Sequence, residues 1–449
     1  MSTIETEALT HALAERSSSL RYEDLPDDVI ETARECVLDW FGVTLGGSSQ
    51  DAPRMLLEAL GAGPEAERGI ATVVGHRARL TPLQAALVNG VSSHVLDFDD
   101  VNMAFLGHVS VCVLGAALAL AEQLDADASE LLTAFVAGYE TACRIAIAVG
   151  PEPYLRGYHA TGTLGTFGAT AACARLLGLG ADSTAVATGI AASEAAGLKC
   201  NIGTMTKSLH VGKACQSGLL AALLAERGFT ASPGAIEGAQ GFAAVVGGNC
   251  QASAALAEPR LGWHLRENLF KYHASCFFTH SMIEGLRELM RPGRLDIEQI
   301  ERISVHVSEL ELGTCVIAEP STGLELKFSL AHLAAMTLLG RATSMITDED
   351  ARDEEAVALR SKVVLVEDGV AGQPTRIEVT LRGGETLSAC HDAGAPERAL
   401  DDQRKRLVRK FIPLAEAALE SSAALRLLEA LKGLEPGRSV RSLMAGARP

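Results

Sequence analysis

Residues 129–150 read SELLTAFVAGYETACRIAIAVG, and this stretch decides the fold class. Its apolar residues recur at helical spacing after the polar start Ser129-Glu130, which predicts a long helix. The same pattern fills residues 1 to about 265, where Asp27-Asp28 and Asp182-Ser183 begin further helical stretches. Alanine and glycine are frequent in these stretches, which suits closely packed helices with small contact residues. This part of the chain is therefore predicted to be all-helical.

The pattern changes after Trp263, where short runs with strand periodicity appear. Gly383-Gly384 lies between two of these runs and predicts a hairpin turn. Helical patterns lie between the runs, so we expect an antiparallel sheet with helices on one face. The predicted strands are residues 302–307, 363–366, 376–381 and 385–390, and the predicted helices between them are 281–291 and 329–340.

Helical periodicity returns at residues 397–432. The chain is long for a single hydrophobic core, at 449 residues, so at least two structural units are expected. We predict a mostly α protein with a large all-helical domain formed by both chain ends and a smaller α+β domain. The predicted boundaries are 1–265 and 395–449 for the helical domain and 266–394 for the α+β domain.

The charge and composition exclude several classes of function. A hydrophobic content of 48% and a charged content of 21% are those of an ordinary globular protein. A formal net charge of −17 repels nucleic acid and anionic lipid, so neither is a predicted partner. An anionic substrate would need a local positive site, which directs attention to lysines and histidines in glycine-rich surroundings.

Cysteine usage and the N-terminus favour a reduced compartment. The ten cysteines are scattered without a CxxC pair, so we expect free thiols and no zinc site. The opening MSTIETEALTHAL lacks the basic and apolar regions of a secretory signal. Apolar windows such as 111–121 are too short to span a bilayer. We predict a cytoplasmic protein.

The first candidate site is the acidic run from Asp97 to Asp100, followed by His108. Carboxylates this close repel one another, so at least one should have a raised pKa unless a cation or metal lies nearby. A solvated loop with a helix cap is one alternative, and a metal site built from Asp and His is another. A terpene-cyclase acid is disfavoured because only 4% of residues are aromatic.

Two further segments place a titratable residue among glycines and small residues. His159 lies in GYHATGTLG, where a following helix N-terminus could bind an anion while the imidazole titrates near neutrality. Lys207 lies in GTMTKSLHVG and needs either solvent or a carboxylate partner such as Asp97 or a substrate. Each also has a plainer interpretation, as a core histidine and a surface lysine.

A fourth candidate, KYHASC, begins at Lys271 near the predicted domain boundary. Several polar side chains close together at such a junction are typical of a ligand cleft. Cys276 also allows a thiol nucleophile, provided that a base lies beside it.

These segments, in this order, resemble the MmgE/PrpD family, which includes 2-methylcitrate dehydratases, cis-aconitate decarboxylases and iminodisuccinate epimerases. The resemblance covers nearly the whole chain. It implies a helical domain from both chain ends, a smaller α+β lid, a homodimer, and neither metal nor organic cofactor. It is carried by LDFDD at 96–100, the downstream HVS at 108–110, GYHATGTLGTFGA at 157–169, GTMTKSLHVGKACQSGLLAALLAERGFT at 203–230, FKYHASCFFTH at 270–280 and LVRKF at 407–411.

The resemblance also implies which residues form the active site. All the family's reactions create negative charge beside a carboxylate, so cations and backbone N–H groups should stabilise it. Lys207 and His159 are then candidates for holding a small di- or tricarboxylate, and Asp97 and His108 for moving the proton. The predicted catalytic residues are Asp97, His108, His159, Lys207 and Lys271, and the predicted substrate-binding residues are Tyr158, Thr206, His210, Tyr272, His273 and Ser275.

Three reactions remain open at this point. Dehydration of a β-hydroxy acid is favoured, because a lid tyrosine that resembling decarboxylases use has no evident counterpart near Cys315–Pro320. Decarboxylation and epimerisation are the alternatives, the latter with Lys271 and His159 or Tyr158 as opposed bases. A catalytically inactive carboxylate-binding scaffold is an alternative of another class. Val101-Asn102, Val109 and Ser208 depart from the family pattern and leave the substrate open.

Overall fold

The computed structural model describes residues 8–63, 65–291 and 295–449. The chain is mostly helical with two small sheets, which confirms the predicted fold class. Residues 1–7, which carry most of the N-terminal segment used to predict the absence of a signal, lie outside the described residues. The helices are α1 Leu9–Ser19, α2 Asp27–Ser48, α3 Asp51–Ala59, α4 Pro82–His94, α5 Val109–Leu124, α6 Ala128–Val149, α7 Glu152–Leu155, α8 Ala160–Leu176, α9 Ala181–Glu194, α10 Thr206–Glu226, α11 Phe242–Val246, α12 Ala252–Leu256, α13 His280–Leu289, α14 Glu309–Leu312, α15 Gly323–Leu326, α16 Leu330–Leu338, α17 Glu354–Arg360, α18 Leu400–Glu416, α19 Ser421–Lys432 and α20 Val440–Ala445.

A large hydrophobic core joins the two ends of the chain. Its buried residues run from Leu9 to Phe270 and continue from Leu407 to Ala447. Helix α18 packs on α2, where Phe411 lies against Gly42. The long apolar helix α6 could cross a membrane by length and composition, but 94% of its most apolar window is buried inside the protein. It packs as a core helix.

Close helix packing in this core depends on glycine. A Cβ added to Gly90 in α4 would lie 2.8 Å from the Cα of Gly212 in α10. A Cβ added to Gly138 in α6 would lie 2.5 Å from the carbonyl oxygen of Gly168 in α8. Both distances are shorter than real contacts allow, so larger residues would push the helices apart. The first contact places the C-terminus of α4 beside the N-terminus of α10.

The smaller unit contains a four-stranded sheet. Its strands are β3 Ile300–His306, β4 Val363–Val366, β5 Thr375–Leu381 and β6 Thr386–His391, in the order β4-β3-β5-β6, and a two-stranded sheet elsewhere consists of β1 Ala71–Thr72 and β2 Arg79–Leu80. The predicted hairpin is present as β5 and β6, and Gly384 in its turn has a φ of 84°. The prediction of a purely antiparallel sheet is wrong, because β4 pairs parallel to β3. The helices between these strands form the long crossover that parallel pairing needs.

A second hydrophobic core belongs to this unit and includes buried residues from Cys276 to Val379. It packs α13 and α16 against the sheet. The domain boundaries at 265 and 395 remain a prediction.

Candidate active site

Asp97 lies at the centre of a buried charged cluster just after α4. Its Oδ1 atom is 2.6 Å from Nζ of Lys271, and its Oδ2 atom is 3.3 Å from Nζ of Lys207. Burial by itself raises the pKa of the Asp97 carboxyl, but the charges of both lysines outweigh it and hold that pKa well below its ordinary value. Asp97 is therefore ionised at neutral pH. Its φ of 52° is uncommon for a residue with a side chain and indicates local strain.

Asp99 lies between two imidazoles. Its Oδ2 atom is 2.8 Å from Nδ1 of His94 and 2.9 Å from Nδ1 of His108. Burial opposes ionisation of Asp99, yet the two histidines hold its pKa well below the ordinary value. The Nε2 atom of His108 is 3.7 Å from Oδ1 of Asp97. His108 is therefore flanked by two ionised carboxylates, an arrangement that suits a proton-transferring imidazole.

Three of the predicted residues lie at helix N-termini. His108 directly precedes α5, His159 directly precedes α8, and Lys207 is the second residue of α10. All three line one cavity, together with Asp97. The N-terminal end of a helix carries partial positive charge, so three of them together with a lysine favour an anion. The cavity is also lined by Tyr154, Thr161, Cys276 and Phe328.

His159 does not have the titrating role that the sequence suggested. Burial and then the charge of Lys207 lower the pKa of His159 well below its ordinary value. Its Nδ1 atom lies 3.0 Å from Nδ1 of His210, so one of these nitrogens donates and the other accepts. His159 is a neutral hydrogen-bonding group at neutral pH.

Lys271 lies behind the cavity and does not line it. Its side chain is fully buried, and Nζ donates to Oδ1 and the carbonyl oxygen of Asp97 and to the carbonyl oxygen of Ser275. All its donors are occupied, so the expectation that Lys271 acts on substrate is replaced by a structural role as counterion to Asp97.

Several predicted substrate-binding residues lie away from this cavity. Tyr272 and His273 line a second cavity, where Arg406 stacks 3.6 Å above the Tyr272 ring. Ser275 bonds Thr279 through its hydroxyl. Tyr158 lines a neighbouring cavity, and His210 reaches the site only through His159. Thr206 begins α10, and its side chain is not part of the lining.

Three residues that the sequence analysis did not select belong to the site. His94 ends α4 just before the acidic segment, and its spacing of five from Asp99 was the available signal. Tyr154 lines the cavity, and its hydroxyl is 2.8 Å from Oγ1 of Thr314 in the smaller unit. Lys327 donates to the carbonyl oxygens of Leu96 and Ala274, and burial lowers its pKa to about 8. No local pattern marks the last two.

Asp100 is the carboxyl of the acidic run with a raised pKa, as electrostatics predicted for one of them. Burial, reinforced by the charge of Asp39, raises its pKa to about 7. Its Oδ2 atom accepts hydrogen bonds from Ser110 and Asn268 at 2.6 and 3.0 Å. Near neutrality this side chain changes charge inside the core.

This gives a prediction for Asp100→Asn. The folded wild type keeps a proton that the unfolded chain releases between about pH 4 and pH 7, so its stability falls as pH rises through this range. An uncharged asparagine can accept both hydrogen bonds, and its stability does not fall with pH in this way. We expect the variant to gain up to about 4 kcal/mol relative to wild type between pH 4 and pH 8. Urea unfolding of both proteins at several pH values measures the difference, and parallel pH profiles would contradict the prediction.

The distances also bear on the metal alternative. His94, Asp99 and His108 each bring one possible ligand atom within 4.8 Å of the others. In the structure, however, Asp99 faces both imidazoles at hydrogen-bonding distances, and Lys207 lies 2.7 Å from Nε2 of His94. Two lysines already supply positive charge to the cluster. The expectation of a metal-free site remains a prediction.

Comparisons with known proteins identify the family of this chain. The MmgE/PrpD N-terminal domain family matches residues 11–254, and the MmgE/PrpD C-terminal domain family matches residues 273–435. The chain belongs to the MmgE/PrpD family. It is an enzyme of the decarboxylase or dehydratase type that this family contains.

The curated relatives of this MmgE/PrpD protein include decarboxylases. A cis-aconitate decarboxylase-like protein of Aspergillus oryzae is 28% identical over 97% of this chain and 96% of its own length. A cis-aconitate decarboxylase of Aspergillus terreus is 25% identical over 95% of this chain and 93% of its own length. The human cis-aconitate decarboxylase is 31% identical over 53% of this chain and 50% of its own length. The names of the Aspergillus terreus and human relatives specify a decarboxylase, which is a lyase, and a tricarboxylate.

Proposed function

We propose that this enzyme decarboxylates a small unsaturated tricarboxylate of the cis-aconitate type. The observation that supports it most is the cavity at which Lys207 and the N-termini of α8 and α5 meet beside the ionised Asp97. Such a site favours a substrate with several carboxylates. The relatives that align over nearly the full chain bear the name of that activity.

The groups in the cavity suit each step of the reaction. The bond between the departing carboxylate and its carbon breaks, carbon dioxide leaves, and the electron pair spreads towards a neighbouring carboxylate. Lys207 and the helix N-termini stabilise the resulting negative charge. One proton is then added to carbon, and His108, held between Asp97 and Asp99, is our candidate donor. Asp97 stays ionised and serves as counterion, and the neutral His159 holds a substrate carboxylate.

Tyr154 bears on the choice between decarboxylation and dehydration. The sequence favours dehydration because the smaller unit has no tyrosine near Cys315. The smaller unit indeed gives this cavity Cys276 and two adjacent phenylalanines. However, Tyr154 reaches the same place from the helical unit and contacts Thr314 at 2.8 Å. A phenol is therefore available, which removes the main objection to decarboxylation.

Dehydration of a β-hydroxy di- or tricarboxylate remains the second candidate. It is supported because, among the described residues, the smaller unit contributes no tyrosine to the lining of the cavity. Epimerisation is less well supported, because the proposed second base, Lys271, is fully buried. Cys276 lines the cavity but lies beside Cys315 rather than an imidazole, so a thiol nucleophile has little support.

The test is to incubate the protein with cis-aconitate in deuterated buffer and to follow the products by NMR and released carbon dioxide. We expect a five-carbon unsaturated dicarboxylate with one deuterium on carbon, and unchanged activity after treatment with EDTA. A parallel reaction with citrate-type hydroxy acids tests dehydration. A third reaction with a chiral amino-dicarboxylate tests epimerisation, because cis-aconitate has no stereocentre to invert. Deuterium exchange there, with no carbon dioxide released from cis-aconitate, would overturn the proposal.

The assembly is implied by the family resemblance and the location by the cysteine usage and the N-terminal sequence, and both are proposed with the function. A homodimer is expected, and light scattering would test it. The cytoplasmic location also remains a proposal.

A further inference from the structure

His94 is buried at the end of α4 and contacts two charged groups of opposite sign. Its Nε2 atom lies 2.7 Å from Nζ of Lys207, and its Nδ1 atom lies 2.8 Å from Oδ2 of Asp99. Its side chain has no exposed surface. Its ring also packs edge-on to that of His108, with centroids 4.7 Å apart, and lies over that of His159 at 5.9 Å.

These two contacts allow one tautomer of the imidazole. An ammonium group has only donors, so Nε2 of His94 must accept from Lys207. An ionised carboxylate only accepts, so Nδ1 must carry the hydrogen that Asp99 binds. A doubly protonated ring would place a second positive charge 2.7 Å from the ammonium of Lys207. The neutral ring with hydrogen on Nδ1 satisfies every partner.

The same contacts fix the direction of the Lys207 ammonium. One of its three N–H bonds points to His94, and a second faces Oδ2 of Asp97 at 3.3 Å. The third is left for the cavity that Lys207 lines. A lysine side chain has four flexible carbons, and without an acceptor at Nε2 it could rotate fully onto Asp97.

We propose that His94, held by Asp99, is a positioning residue that aims the Lys207 ammonium at the substrate carboxylate. The effect of His94 on turnover rests on the proposed function, whereas the tautomer of its ring follows from the two contacts alone. The close packing at Gly90 and Gly212 brings α4 and α10 near enough for this contact.

The first test requires no substrate. Two-bond nitrogen–proton NMR of protein labelled with ¹⁵N-histidine distinguishes the two neutral tautomers and the charged ring. We expect one neutral histidine protonated at Nδ1 whose signals disappear in His94→Gln. A His94 that is protonated at Nε2, or doubly protonated at pH 7, would overturn the proposal whatever reaction the enzyme catalyses.

The second test separates positioning from packing. Glutamine can accept from Lys207 and donate to Asp99, whereas leucine can do neither. We expect His94→Leu to lower kcat/KM about 100-fold, as for a misplaced catalytic group, and His94→Gln to retain activity within about 10-fold of wild type. His76→Gln, a partly buried histidine that contacts Ser48 outside the site, is the matched control and should leave activity unchanged.

Equal losses in both His94 variants, each explained by a matching loss of stability in urea, would show a purely structural role and refute the proposal. A wild type that turns over none of the tested acids would instead refute the proposed function, while the NMR result still decides the role of His94.

Discussion

Lys207→Ala is expected to lower kcat/KM about 100- to 1000-fold, which is the usual cost of losing one group that stabilises developing negative charge. Lys207 is the cation that lines the cavity among the described residues, and its ammonium already lies 3.3 Å from Asp97. Removing it leaves only the helix N-termini and the neutral His159 to hold a substrate carboxylate. Steady-state kinetics with the acid that proves to be the substrate measure the effect, and the loss should appear in kcat as well as in KM.

Lys213→Ala is the matched control for this prediction. Lys213 lies on the same helix, α10, but is exposed and bonds only Gln216, at 3.0 Å. Its removal leaves the cavity unchanged, so its kinetics should equal those of wild type. Full turnover in Lys207→Ala would contradict the anion-binding role, and so would an equal loss in Lys213→Ala.

Lys271→Met is expected to have the largest effect on stability, about 3–5 kcal/mol, because removing one partner of a buried ion pair leaves the Asp97 charge with only the more distant Lys207 as counterion. Lys271 is fully buried and donates to Asp97 at 2.6 Å and to two carbonyl oxygens. Methionine fills the space but satisfies none of these acceptors. Urea unfolding, with the slope checked against wild type, measures the change in the free energy of unfolding.

The control is Lys213→Met, which makes the same chemical change at an exposed position on α10 and should alter stability by less than about 0.5 kcal/mol. The variant Asp97→Asn/Lys271→Met removes both charges of the pair. Its loss in the free energy of unfolding should be smaller than the sum of the losses in the two single variants, because neither charge of this pair is then left without the other. Additive losses would show that the pair is not coupled.

Site residues could be predicted where a short sequence motif contains the reactive side chain. Asp97, His108, His159 and Lys207 were selected from short segments, and the structure places all of them around one cavity. In contrast, Tyr272 and His273 were selected for their position beside Lys271, and they line a different cavity. Lys271 is buried against Asp97, whereas the next two residues line the second cavity, so proximity along an irregular segment could not decide which side chains meet.

The residues that the sequence analysis missed have contacts across long sequence separations. Tyr154 meets Thr314 across 160 residues, and Lys327 meets the carbonyl oxygen of Leu96 across 231 residues. Lys410, in the late LVRKF segment, lies 2.6 Å from Asp39 and also donates to the carbonyl oxygen of Phe98. The contacts of Lys327 and Lys410 hold the acidic segment in place from distant parts of the chain.

The amino-acid sequence by itself determined the helical class, the hairpin and the residue types of the site, because periodicity, turn residues and motif chemistry act within a few residues. Only the tertiary structure decided that β4 runs parallel to β3, that Lys271 is a counterion and that His159 is neutral. Strand direction depends on the path of a crossover, and the charge state of a buried group depends on burial and on charges brought from elsewhere in the chain.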